Sequence, residues 1–188
     1  ALFHGKAVNV SAIARDAGAA RTTIAGYLDI LEDTLLAWRL SAFEARLRVR
    51  ERKHPKLYWI DPGLVRAVKR QLGPVGAEER GALLEGWVHA LLRVYGQERD
   101  LFDDIHYWSP LQAGGVEVDF VLRRGRELLA VEVKAARKYS RSQLGGLKAI
   151  GELPDVVRRI LVYGGTDRLV VADGVDVWPV QHLLEMLA

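Results

Sequence analysis

Apolar residues near the start of the chain recur with helical spacing. Val8 and Val10 precede Ser11, a residue type suited to capping, so a short helix is predicted over residues 12–17. Gly18 suits the tight turn after it. A second helix is predicted from Arg21 to about Asp33, where Ile24, Tyr27, Leu28 and Leu31 fall at i, i+3, i+4 and i+7 and form one stripe for burial. Arg21, Thr22, Ala25 and Gly26 are left on its outer face. Residues 35–43 and 57–60 read as strands enclosing the segment 44–56. Two helices followed by two strands around a long loop make a winged helix-turn-helix, in which the start of the second helix enters the major groove of DNA.

The rest of the chain reads as α/β. A helix is predicted over 78–95, with Leu83, Leu84, Trp87, Val88, Leu91 and Leu92 as its apolar stripe and Glu85 and His89 together on another face. Strands follow at 105–108, 116–123 and 127–135, the last two joined at Gly125 as a hairpin. A helix is predicted at about 140–153, then strands at 159–163, 169–172 and 175–178, and a helix over 180–187. That order implies a mixed sheet flanked by helices. Gly and Pro punctuation in Gln71-Leu72-Gly73-Pro74-Val75-Gly76 divides the chain into domains 1–72 and 77–188.

Charge sharpens this division. Residues 1–75 hold 13 Lys/Arg against 7 Asp/Glu, a net +6, whereas residues 76–188 hold 14 against 17, a net −3. The positive charge concentrates in Arg46, Arg48, Arg50, Arg52, Lys53 and Lys56, with Glu51 the sole opposing charge in that stretch. Arginines at period two on an extended segment project to one side and suit a phosphate backbone. Arg21, Thr22, Thr23, Arg46, Arg48, Arg50, Arg52 and Lys53 are therefore the candidate DNA-binding residues. Among 188 residues, 49% are hydrophobic and 27% charged, which excludes wholesale disorder. The absence of cysteine excludes disulfides, thiolate zinc and a cysteine nucleophile, and it favours a cytoplasmic setting. No apolar run approaches the ~20 residues of a membrane span, so no membrane association is expected. A chain beginning at Ala1 without methionine is expected to be either a mature form or a piece of a longer protein.

The hairpin carries the candidate chemistry. Its strands read Val116-Glu117-Val118-Asp119-Phe120-Val121-Leu122 and Leu128-Leu129-Ala130-Val131-Glu132-Val133-Lys134-Ala135. Alternation puts Glu132 and Lys134 on one face, and the ~5 Å strand spacing brings Asp119 and Glu132 together. Two carboxylates with room for water and phosphate suit Mg²⁺. Lys134 is placed to orient a water or neutralise charge on phosphate, and Glu85 from the preceding helix offers a third acid. Charges set among β-branched residues are costly unless they are paired or metal-bound. No G-x-x-x-x-G-K-[ST] is present, so no ATP site lies in this chain. His4, His54, His89, His106 and His182 are too scattered for a zinc pair.

Glu85, Asp119, Glu132 and Lys134 together resemble the PD-(D/E)XK nuclease signature. Thr22–Glu32, Lys56–Leu64, Gly81–Glu85, Glu117–Leu122 and Val131–Lys134 resemble, in order and spacing, the C-terminal region of prokaryotic AAA-type ATPases. In that family a winged helix and a restriction-endonuclease-like domain of unknown function follow an ATPase domain. The resemblance implies a DNA-binding part of an ATPase whose upstream domain lies outside this chain, with a Mg²⁺-dependent nuclease centre at Glu85, Asp119, Glu132 and Lys134. It departs from the signature at Val118, where a proline would stand. It also departs at Leu147, four residues after Gln143, where some related nucleases carry tyrosine. The alternatives are a catalytically inactive nuclease-like module that binds nucleic acid or a partner, and a winged-helix transcriptional regulator.

Overall fold

The computed structural model describes residues 1–44, 54–110, 116–171 and 174–187. Arg46, Arg48, Arg50, Arg52 and Lys53 lie outside the described residues. The described residues form a mixed α/β structure with a three-stranded sheet, a six-stranded mixed sheet and six α-helices. No helix among them is long and apolar enough to cross a membrane.

The front of the chain folds as β1 (Lys6–Ala7), α1 (Val10–Asp16), α2 (Arg21–Asp33), β2 (Ala37–Leu40) and β3 (Lys56–Trp59). α1 is capped by Asn9, whose side chain accepts a hydrogen bond from the Ala12 N–H at 3.1 Å; Ser11, the expected cap, lies inside the helix. Gly18 turns the chain at φ +62°. On α2, Leu28 is buried and Ile24 and Leu31 are half-buried, but Tyr27 is 61% exposed. The expected four-residue stripe is thus narrower than its spacing suggested, because Val8, Ala37 and Leu57 offer α2 a small surface to cover. β3 is the central strand of the small sheet, antiparallel to both β1 and β2. α3 (Pro62–Val68) follows, a helix the sequence reading did not anticipate. Its start is marked by Asp61, which caps Leu64 N–H at 3.0 Å, with Pro62 at the first helical position.

The back of the chain runs α4 (Ala77–Glu98), β4 (Asp104–Trp108), β5 (Val118–Arg124), β6 (Glu127–Lys134), α5 (Gly145–Ile150), β7 (Val156–Tyr163), β8 (Leu169–Val171), β9 (Val175–Pro179) and α6 (Val180–Leu187). The sheet order is β4-β5-β6-β7-β9-β8; β6–β7 and β7–β9 are parallel and the other pairs antiparallel. The helix expected over 140–153 divides into a 3₁₀ turn, Arg141–Leu144, and α5. Two glycines in succession, Gly145 and Gly146, weaken a continuous α-helix at that point.

One sheet face packs Phe120, Leu122, Val131, Val133, Ile160 and Val162 against Val88 and Leu92 of α4 and Leu183 and Leu187 of α6. The other packs Val121, Ala130 and Leu161 against Leu144, Leu147 and Ile150. Leu40 of β2 and Tyr58 of β3 belong to the first of these cores, so the small sheet and α4 share apolar contacts. That shared packing brings β3 to the C-terminal end of β6, where the charged groups gather.

Candidate metal and phosphodiester site

β5 and β6 pair with Phe120 opposite Val131, so one step further Asp119 stands opposite Glu132. Both carboxylates lie on the face covered by α5 and are about 95% buried. Asp119 Oδ2 accepts the Val133 backbone N–H at 2.9 Å, which fixes the carboxylate against the next strand. Glu132 Oε1 is paired with the Lys134 ammonium, whereas Glu132 Oε2 is buried without a hydrogen-bond partner. With Glu85, Glu117 and residues of the 3₁₀ turn and α5, these groups line a pocket of about 340 Å³. All four residues of the expected centre, Glu85, Asp119, Glu132 and Lys134, thus meet in one place.

Three participants were not singled out from sequence. Lys56, on β3, closes the basic stretch of the sequence but is not among the candidate DNA-binding residues; it is 3% exposed and ion-paired. Its Nζ lies 3.0 Å from Glu85 Oε1 and 3.5 Å from Asp119 Oδ1, and it also contacts Glu117. Tyr58, two residues on along the same strand face, donates its hydroxyl to Glu85 Oε1. Glu117 stands two residues before Asp119, a spacing that alternation makes visible in the sequence. Lys56 and Tyr58 are some sixty residues from Asp119 in the chain, and no local pattern links them.

α5 approaches β5 closely. A Cβ at Gly146 would lie 1.9 Å from the Glu117 carbonyl oxygen, so only glycine fits here without displacing backbone. Glu117 and Gly146 both line the pocket with Glu132.

The electrostatics show excess negative charge. Burial, and next the charge of Asp119, push the Glu132 carboxyl up to about 8, against the pull of Lys134. The same two causes push Glu85 up to about 7, against Lys56 and Tyr58. Burial alone would lower Lys56, but Glu85, Asp119 and Glu117 together hold its ammonium above the usual lysine range. Four carboxylates thus face two ammonium groups, Lys56 and Lys134, around a partly open pocket.

The donor set fits a divalent cation through Asp119 and the free Glu132 oxygen, with water or phosphate oxygens completing the shell. Glu85 does not extend this pair. Its Oε1 is occupied by Lys56 and Tyr58, and among the described residues no group of three or more His, Asp or Glu side chains is placed to hold a metal ion. His89, four residues from Glu85, takes no part in the site: it is fully buried, stacked on Tyr58 at 4.3 Å, and burial and then Arg93 lower it to about 3. Arg21, Thr22 and Thr23 are exposed at the start of α2, remote in sequence from this pocket.

The chain is similar to two mycobacterial proteins, "Uncharacterized protein Mb2031c" of Mycobacterium bovis and "Uncharacterized protein Rv2008c" of Mycobacterium tuberculosis. Each is 28% identical over 187 residues. The match covers 97% of this chain but 40% of either relative, so the chain spans less than half their length. No solved structure matches it. Residues 1–74 match the model of a domain of unknown function, DUF8612. Residues 80–183, more than half of the chain, match the model of another domain of unknown function, DUF4143, and the chain belongs to that family.

Proposed function

We propose that this chain is the DNA-binding part of a longer AAA-type ATPase, a winged helix followed by a restriction-endonuclease-like domain with a Mg²⁺-dependent phosphodiester-cleaving centre. The observation that carries the reading is that Asp119, Glu132 and Lys134 line one pocket while Glu132 Oε2 is buried without a hydrogen-bond partner. The resemblance in residue order supports the ATPase context, and the shorter span relative to the mycobacterial proteins is compatible with it.

In this reading Asp119 and Glu132 hold the cation, which when bound supplies Lewis acidity at a phosphoryl oxygen and a water of lowered pKa. The backbone N–H of Val133 keeps Asp119 from turning away. Lys134 has a side chain 37% exposed, so its ammonium reaches from Glu132 toward a phosphate at the pocket mouth and balances charge developing there. Arg21, Thr22 and Thr23, with Arg46, Arg48, Arg50, Arg52 and Lys53, grip the backbone of the duplex.

A second reading, a module that binds DNA without cutting it, is favoured by Lys56, whose ammonium already compensates Glu85, Glu117 and Asp119. A cleavage and gel-shift assay on linear DNA with Mg²⁺ or Mn²⁺ separates the two. Metal-dependent cleavage that disappears in Asp119→Asn and Lys134→Ala supports the nuclease centre. Retained DNA affinity with no cleavage in either metal would establish the binding module.

A further inference from the structure

Lys56 is the least expected partner of the acids that line the pocket, because it comes from the small front sheet, whereas they come from α4, β5 and its approach, and β6. Its ammonium is held without solvent access and has three carboxylate partners. A buried ammonium needs such partners to offset its lost hydration. A divalent cation bound to Asp119 and Glu132 would need the same Asp119 Oδ1 and the same negative potential that Lys56 uses. Two cations sharing one buried carboxylate repel each other, so one weakens the other.

We propose that Lys56 is a built-in competitor for the divalent cation. Its ammonium and the metal draw on one set of carboxylates, and metal loading depends on how firmly β3 keeps Lys56 seated. The proposal rests on the metal-site reading above. It adds that the front sheet, through one side chain, sets the metal affinity of a site formed by the back sheet. The polar neighbours agree with this role. Tyr58, on the same strand, anchors Glu85 beside Lys56, so strand position and acid position are coupled. Lys134 differs in kind: its side chain is 37% exposed and can swing outward, whereas that of Lys56 is 4% exposed and has no such route.

The test is calorimetric titration of Mn²⁺ into the wild-type chain and into Lys56→Gln and Lys56→Arg, each checked by circular dichroism for a native fold. Lys56→Gln is expected to bind Mn²⁺ at least tenfold more tightly than wild type, and Lys56→Arg, which keeps the charge, is expected to bind no more tightly than wild type. Because Lys56→Gln takes the partner from buried acids and puts the fold at risk, the wild-type chain is also labelled with ¹³C at lysine Cε and titrated with Mg²⁺ by NMR. The Lys56 resonance is expected to shift along a curve that saturates with the calorimetric affinity. Equal or weaker Mn²⁺ binding by a folded Lys56→Gln, or a Lys56 resonance unmoved at metal saturation, overturns the competition while leaving the metal site standing. Absence of binding in both wild type and Lys56→Gln overturns the metal site itself, and the competition with it.

Discussion

Glu132→Gln is expected to make the protein more stable at neutral and alkaline pH, although it removes a buried ion-pair partner. The substitution preserves shape and an acceptor oxygen while deleting a charge that the site holds at a cost. Raising the carboxyl from its ordinary 4.5 to about 8 places up to about 5 kcal/mol between its protonated and ionised forms, at ~1.36 kcal/mol per tenfold change in proton affinity. At pH 7 only the interval above 4.5 counts, which gives about 3 kcal/mol. Adjustment of Lys134 and screening by water in the pocket reduce this to ~2 kcal/mol. Because the folded value lies above the unfolded one, Glu132's contribution is complete below pH 4.5 and is lost as pH rises through about 8. The difference between variant and wild type should therefore be small near pH 5 and should grow to pH 8. Urea denaturation at half-unit steps from pH 5 to 9 measures it, and a shift of ~4–8 °C in Tm at pH 8 is the thermal equivalent. Saturating Mg²⁺ should close the gap by stabilising wild type alone. A variant less stable than wild type at pH 8, or a difference independent of pH, would refute the picture of a charge-crowded pocket.

Two further predictions concern the pocket's support. His89 has both ring nitrogens unpartnered, and burial lowers it to about 3, so the stability it allows is fully present above pH 6.5 and is lost as pH falls toward 3. His89→Phe should accordingly unfold at lower pH than wild type in an acid titration followed by fluorescence, and an unchanged midpoint counts against a neutral buried imidazole. Gly146→Ala forces a Cβ to within 1.9 Å of the Glu117 carbonyl unless α5 or β5 moves; a loss of ~1–3 kcal/mol in urea denaturation is expected, and unaltered stability would show that this wall of the pocket yields freely.

Some elements were legible in the sequence because their signals are local. Helical periodicity gave α2 at its observed limits, and Gly125 (φ +58°) marked the β5–β6 turn. Alternation along both strands brought Asp119, Glu132 and Lys134 into one pocket. Tyr27 was misjudged because spacing reports which residues share a face, not how wide a surface the neighbouring elements cover. α3 was missed because seven residues hold too little periodicity, although Asp61-Pro62 marks its start. The place of Lys56 in the pocket's charge balance was hidden for a deeper reason. In sequence it closes a run of basic residues, and only the packing of β3 against α4 and the hairpin turns it inward onto Glu85, Glu117 and Asp119.

The central claim is that Asp119 and Glu132 form a divalent-cation site. Its most direct test is an anomalous difference map from crystals grown with Mn²⁺. The account predicts a peak bonded to a carboxylate oxygen of Asp119 and to Glu132 Oε2 at roughly 2.0–2.3 Å, with the remaining positions filled by water. Absence of a peak at full Mn²⁺ exposure, with Lys56 still seated against Asp119 and Glu132 Oε2 bonded to a protein donor, would contradict it.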